Sequence, residues 1–174
     1  MEAKIVTRDS ICLIGMGFYG DPCSNASAWS EENEIGRLWK RFMGFWHKSP
    51  DLIPNVKDHN VALEVHIETA ETKEKGYSEI FIGVIVEELK YLPLECVAKV
   101  LPPTQYAVFT LKGEEITADW GKKIYQDWLP ASDYQLSYNY NIQYYDQRFK
   151  GMDKIAESTV DLYLPVVPLN HLDF

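Results

Sequence analysis

The chain has 174 residues, 46% of them hydrophobic and 25% charged, with a formal net charge of −9, the profile of a globular domain rather than a disordered one. No apolar run approaches the roughly 20 residues needed to cross a bilayer, no signal-peptide apolar region follows Met1, and the acidic balance works against binding a phosphate backbone. A cytoplasmic protein with no direct nucleic-acid or membrane partner is expected.

In chain order, Lys4–Thr7 and Ile11–Phe18 are short apolar segments separated by Arg8-Asp9-Ser10 and read as strands. Gly20-Asp21-Pro22 and the Ser/Asn-rich run to Ser27 form a loop. Ser30 followed by Glu31, Glu32 and Glu34 predicts a helix start, with acid in the first turn where it suits the helix dipole. Ile35, Leu38, Trp39 and Phe42 then fall at helical spacing, and the helix is expected to end near Trp46-His47-Lys48, before Pro50. Val61–Ile67 alternates as a half-buried strand, Glu68–Lys75 turns the chain, and Ser78–Val86 returns it as a hairpin partner.

Glu87–Pro93 is too short to act as a linker. Beyond it, Glu95–Leu101 and Gln105–Leu111 read as strands joined through Pro102-Pro103, which cannot continue a ladder. A helix from about Thr117 to Trp128 is expected, stopped near Pro130, followed by strands over Gln135–Tyr145 and Thr159–Val166.

The two passages repeat one plan. Ala3-Lys4-Ile5-Val6 is echoed by Ala98-Lys99-Val100-Leu101, Leu38-Trp39-x-x-Phe42 by Ile124-Tyr125-x-x-Trp128, and Glu79–Val84 by Asp161–Val166, at offsets of 95, 86 and 82 residues. The expected fold is therefore α+β: a duplicated strand-strand-helix-strand-strand unit, with pseudo-repeats of about 1–90 and 91–174 in a single domain. About eight antiparallel strands would carry two main helices, with a cleft where the halves meet.

Motifs for chemistry are sparse. Cys12, Cys23 and Cys96 are odd in number and form no C-x-x-C pair, so neither a disulfide framework nor a zinc site is indicated. His47, His59, His66 and His171 fall in different elements without metal-ligand spacing, and read as solvated or structural. Gly15-x-Gly17 lacks the third glycine and the βαβ context of a dinucleotide fingerprint, and no cofactor is expected. Arg37, Lys40 and Arg41 read as a solvated helix face.

Aromatic residues make up 13% of the chain. They concentrate in the first helix (Trp39, Phe42, Phe45, Trp46), the second (Trp120, Tyr125, Trp128) and the strand Tyr138–Tyr145. Along that strand Tyr138, Tyr140, Ile142 and Tyr144 make one face, and Asn139, Asn141, Gln143 and Tyr145 the other. The amide face suits either water or a cleft in which Gln143 and Tyr145 offer polar groups inside aromatic walls.

The segment Ile142-Gln143-Tyr144-Tyr145-Asp146-Gln147-Arg148-Phe149, the closing Val160–Val166, Leu101-Pro102-x-x-x-Tyr106-Ala107-Val108-Phe109 and Ile35-x-x-Leu38-Trp39-x-x-Phe42 resemble the gyrase-inhibitor-like effector-binding domains. These occur alone, as in integron cassettes, or behind the DNA-binding domains of multidrug-responsive regulators of the AraC and related types. The resemblance covers nearly the whole chain and implies a pocket at the junction of the halves for lipophilic, often cationic, aromatic compounds. It further implies a glutamate two positions before the tyrosine matched by Tyr145. This chain has Gln143 there, a neutral amide that supplies no full counter-charge. Glu64 or Glu79 would substitute if either faces the cleft, and strand alternation alone leaves open which.

The leading expectation is a stand-alone small-molecule-binding protein that senses or sequesters a hydrophobic or cationic aromatic compound. Trp39, Phe81, Trp120 and Tyr145 would form the walls, and Gln143 the central hydrogen-bonding group. With no helix-turn-helix ahead of Met1-Glu2-Ala3, transcriptional control would need a separate partner. Two alternatives also follow from the resemblance: a hydrolase that opens strained rings of toxic alkylating compounds, and a protein-interaction module such as a topoisomerase modulator. The first needs an ionisable base, a role Gln143 cannot fill.

Overall fold

The structure, a computed structural model, describes residues 1–26 and 30–169. Ser27, the end of the expected loop, and His171 lie outside the described residues.

Among the described residues nine strands form one sheet. The first half supplies β1 (Lys4–Arg8), β2 (Ile11–Gly20), β3 (Ala62–Glu68) and β4 (Ser78–Val86). The second supplies β5 (Val97–Leu101), β6 (Thr104–Lys112), β7 (Tyr134–Leu136), β8 (Tyr140–Tyr145) and β9 (Thr159–Pro168). The order is β1-β6-β9-β8-β3-β4-β2-β5, with β7 paired to β9 and every ladder antiparallel. Exchanging β1 with β5, β2 with β6, β3 with β8 and β4 with β9 reproduces this order read backwards. The duplication seen in the sequence is thus an approximate twofold axis at the β3–β8 pair.

The connections force the sheet to curl. β1 and β2 stand six places apart, about 29 Å in a flat sheet, yet only Asp9 and Ser10 join them, a reach of about 11 Å. Pro102 and Pro103 make the equivalent join from β5 to β6. Curling encloses one face, where Leu13, Val65, Phe81, Tyr106, Tyr140 and Ile142 form a buried cluster and the Tyr106 and Tyr140 hydroxyls bond at 2.7 Å. At one point the strands approach unusually closely. Gly15 opposes Gly83, and a Cβ on Gly83 would sit 2.4 Å from the Ile14 carbonyl oxygen. Gly15 therefore serves strand packing.

The helices lie on the other face. α1 (Glu34–Lys48) starts at Asn33, whose side chain accepts from the Gly36 amide. Ser30, the expected start, instead accepts from the Glu32 amide one turn earlier. Leu38, Phe42 and Trp46 pack α1 onto Ile14, Met16, Ile80, Ile82 and Val84, an apolar stripe at helical spacing. α2 (Thr72–Lys75) is a single turn within the expected charged turn, closed by Gly76 at φ 73°. The second main helix starts at Trp120 rather than near Thr117, because Asp119 caps it by accepting from the Lys122 amide. It runs as α3 (Trp120–Lys122), a π-helical stretch (Lys123–Trp128) and α4 (Leu129–Ala131), and so ends one residue past Pro130, near which the stop was expected. It covers Phe109, Leu111, Leu162 and Leu164. The expected strand Gln135–Tyr145 divides at residues 137–139 into β7 and β8, which accounts for the ninth strand.

Candidate functional site

The helices leave a gap over the twofold axis, where β3 and β8 present polar residues. Glu64 opposes Gln143, and His66 opposes Asn141. By strand alternation all four point to the helix-bearing face. The face of β8 that carries Asn141, Gln143 and Tyr145 is therefore turned to the cleft side, and its tyrosine face packs inside the curl.

A cavity of about 630 Å³ opens between α1, the β3–β8 pair and residues 146–152. Trp39, Met43, Trp46, Trp120, Tyr145 and Phe149 supply much of its wall. Trp39 and Tyr145 meet edge to face at 5.1 Å, and Tyr145 and Phe149 at 4.9 Å, geometries that aromatic quadrupoles favour.

Glu64 sits at the focus of this wall with 4% of its surface exposed. Trp39 Nε1 donates to its Oε2 at 2.5 Å, while its Oε1 receives Gln143 Nε2 at 3.3 Å and lies 2.5 Å from His66 Nε2. The Tyr145 hydroxyl donates to Gln143 Oε1 at 2.9 Å, which fixes the amide with its nitrogen toward Glu64. The short contact to the carboxylate makes His66 Nε2 a donor as well. It stands 3.3 Å from Gln143 Nε2, so two N–H groups converge on one carboxylate oxygen. Every bond in the chain is thus polarised toward Glu64, an arrangement in which each link strengthens the next. Burial, followed by the nearby Glu64 charge, pushes the Tyr145 phenol well above its ordinary range, so it stays neutral and donating.

The other carboxylates lining the cavity have fixed cations. Glu31 pairs with Lys40 at 3.1 Å. Asp146 is held by Arg148 at 2.8 Å, and that guanidinium keeps its carboxyl below the usual range. Among the described residues Glu64 is paired with His66 alone, which is charged only if protonated.

Of the seven residues expected in the cleft, five line the cavity: Trp39, Glu64, Trp120, Gln143 and Tyr145. Two do not. Phe81 is fully buried inside the curl with Leu13 and Val65, because odd positions of β4 face away from the helices. Glu79 shares that parity and pairs with Lys99 at 2.5 Å. His66, read from sequence as solvated or structural, belongs to the site; the signal was Glu64-x-His66 on one strand, which period-2 alternation places side by side. Phe149 and Trp46 also join the wall, and His59 stacks on Trp46 at 5.6 Å. Among the described residues no group of three or more His, Cys, Asp or Glu side chains is placed to hold a metal ion, and no helix is long and apolar enough to cross a membrane.

The halves also differ in the contact each helix makes with the axis. The offset of 82 residues takes Ile80 to Leu162, which are the respective ladder partners of His66 and Gln143, so these two are equivalents, and Glu64 corresponds to Asn141. Trp39 corresponds to Tyr125. Where Trp39 bonds the Glu64 carboxylate, Asn141 Nδ2 donates to the Tyr125 hydroxyl at 3.4 Å. Only one half carries the charge.

A duplicated α+β unit with an aromatic cavity on its pseudo-twofold axis defines an effector-binding domain of the gyrase-inhibitor-like kind. The chain belongs to the integron-associated effector-binding protein family, whose model matches residues 4–166. It is 30% identical over 168 residues to the transcriptional regulator BrlR of Pseudomonas aeruginosa, covering 95% of this chain and 56% of BrlR; it thus spans a little over half the length of that relative. A structure of SAV2435 bound to tetraphenylphosphonium has a similar fold (TM-score 0.67, 15% identity, 99% of this chain and 98% of that one). So does an integron cassette protein from the mobile metagenome of Vibrio cholerae (TM-score 0.61, 15% identity, 95% and 96%).

Proposed function

We propose that the cavity binds a lipophilic aromatic cation and that Glu64 supplies its counter-charge, in a sensing or sequestering role. The observation that carries this reading is Glu64 itself: a nearly buried carboxylate, aimed by Trp39 and Gln143, with no lysine or arginine among the partners described for it, at the wall of an aromatic cavity. Burying an ionised carboxylate without a full counter-ion is costly, and a bound cation relieves that cost. Trp39, Trp46, Tyr145 and Phe149 offer ring surfaces to a delocalised cation, each contact contributing about 0.5–2 kcal/mol. The volume suits a compact drug-sized molecule. The likeness in fold to SAV2435, whose structure holds tetraphenylphosphonium, supports this ligand class, and the similarity to BrlR supports a part in regulation. Gln143 takes a different role from the counter-charge that family resemblance assigns to its position: it orients the carboxylate facing it from the neighbouring strand.

The test is a calorimetric and thermal-shift screen of hydrophobic cations against neutral aromatics of matched size. Selective stabilisation by cations is expected, and no stabilisation by any compound would refute the reading. One observation favours a second reading, in which the cavity hydrolyses a strained electrophile. The Glu64–His66 contact places an ionisable base at the cavity wall. Turnover of such a compound that disappears in Glu64→Gln would support it, and an absence of turnover would discard it.

A further inference from the structure

The cavity already contains one group able to become a cation. His66 lines it, retains 26% side-chain exposure and places Nε2 2.5 Å from Glu64 Oε1. A protonated imidazole at that distance is a counter-ion for the carboxylate; a neutral one is a hydrogen-bond donor and no more. We propose that His66 is a built-in competitor of the ligand, so that a bound cation and the His66 proton exclude one another and cation capture releases a proton. This rests on the reading of Glu64 as the ligand's counter-charge and adds a means of regulating the site.

The surroundings assign the competition to this pair: the cavity's other imidazole, His59, stacks on Trp46 at 5.6 Å, and no contact between it and Glu64 is described. Along β3, Glu64 and the exposed Glu68 share the His66 face. From β4 the ladder partner is Ile80, and from β8 it is the neutral Asn141. Gln143 contributes an amide, and Tyr145 a phenol that stays protonated. The π-helical stretch presents Tyr125, also pushed up by burial, while α1 presents the Trp39 indole. Lys40 is tied to Glu31, and Arg148 to Asp146 and Asp161. No other described lysine or arginine is paired with Glu64.

The direction follows from mass action. As pH rises His66 loses its proton, Glu64 loses its resident counter-ion, and affinity for a cation increases. One competing proton limits the change to about tenfold per pH unit. A neutral ligand of similar shape does not displace the proton and shows no such slope. Removing the imidazole while keeping a neutral donor toward Glu64, as in His66→Gln, abolishes the slope.

The experiment is titration calorimetry of the intact chain with tetraphenylphosphonium and with neutral triphenylphosphine oxide, from about pH 5.5 to about pH 8.5, the range in which histidine ordinarily changes charge. Repeating it in two buffers of different ionisation enthalpy counts the protons released. The expected result is tighter cation binding at higher pH, with up to one proton released per cation. The neutral probe should be flat, and the cation slope should vanish in His66→Gln. PH-independent cation binding without proton release would overturn the proposal and leave the assignment of the cavity standing. A slope that persists in His66→Gln would overturn it too, because the proton would then belong to another group such as Glu64. Failure of both probes to bind at any pH would overturn the reading of the cavity and the proposal together.

Discussion

The sharpest consequence of the site geometry concerns Glu64→Gln. The substitution preserves side-chain size and removes the charge. Tetraphenylphosphonium keeps its phosphorus behind aryl rings, so its charge would sit roughly 6–8 Å from the carboxylate. At an effective dielectric of about 20 that separation is worth about 2–3 kcal/mol, or roughly 30- to 100-fold in Kd. The neutral triphenylphosphine oxide should change by less than about threefold, since it has no net charge to lose. The fold also changes, because the introduced amide cannot accept from Trp39, Gln143 and His66 at once. One donor loses its partner, at about 1–3 kcal/mol. Titration calorimetry with both probes, beside thermal unfolding without ligand, separates the two effects. Equal losses for cation and neutral probe would show that Glu64 shapes the cavity without acting as a counter-charge, and an unchanged cation Kd would remove it from the site.

Further substitutions and labels test the architecture around it. Gln143→Glu sets a second carboxylate about where Nε2 now stands, 3.3 Å from Glu64. Like charges so close cannot both ionise freely, so the free protein should lose about 1–3 kcal/mol and recover more on adding a lipophilic cation than on adding a neutral analogue, as thermal shift would read. Equal recovery with both ligands would mean that position 143 does not sense the ligand's charge. Gly83→Ala drives a Cβ to 2.4 Å from the Ile14 carbonyl oxygen; an expected cost of about 2–4 kcal/mol lowers Tm by roughly 5–15 °C, and a Tm within two degrees or so of wild type would contradict the close strand approach. Burial, with Glu95 nearby, pushes the Cys96 thiol up to about 11, so at neutral to mildly alkaline pH a thiol reagent should label exposed Cys23 quickly and Cys96 only on unfolding. The same shift makes folding stability decline as pH rises from about 9 toward 11, where the unfolded thiol has released a proton that the folded one retains. Fast labelling of Cys96 in the native protein would disprove its burial.

What could be read without coordinates, and what could not, divides along a physical line. Strand and helix identities are local: alternation in Val61–Ile67 and the 3.6-residue stripe of Ile35, Leu38, Trp39 and Phe42 carry them. The twofold arrangement is legible too, since repeated segments recur in the same order. Parity within a strand is visible, but which parity faces the helices depends on how the sheet curls, and that is set by non-local pairing across six strand positions. For this reason Glu64 and Glu79 were indistinguishable in sequence and lie on opposite faces in the structure. Phe81 was misplaced for the same reason. His66 was missed differently. It matches no motif and acquires a role only through Glu64, two residues away on its own strand, a spacing that carries no chemical signature until that face is known to be buried. The strand break after β7 and the π-helical stretch likewise depend on packing that the local pattern does not record.

The broken symmetry at the axis has an electrostatic rationale. Were the halves identical at these positions, carboxylates would stand at both 64 and 141, diagonal neighbours on adjacent strands and about 7–8 Å apart. In a partly buried site their repulsion would be about 2 kcal/mol at an effective dielectric of about 20, added to two desolvation costs in place of one. Asparagine at 141 removes the second charge, and the Tyr125 hydroxyl accepts a hydrogen bond from its amide where Trp39 donates its indole N–H to Glu64 on the other side. The same divergence puts histidine at 66 and glutamine at 143, the other equivalent pair. Glutamine there directs an amide donor at Glu64, while histidine directs an imidazole. A duplicated scaffold has in this way placed a single carboxylate and a single imidazole at its axis, beside aromatic walls. Under the proposed reading, that asymmetry would give a cationic ligand a definite orientation, which two equivalent carboxylates would not.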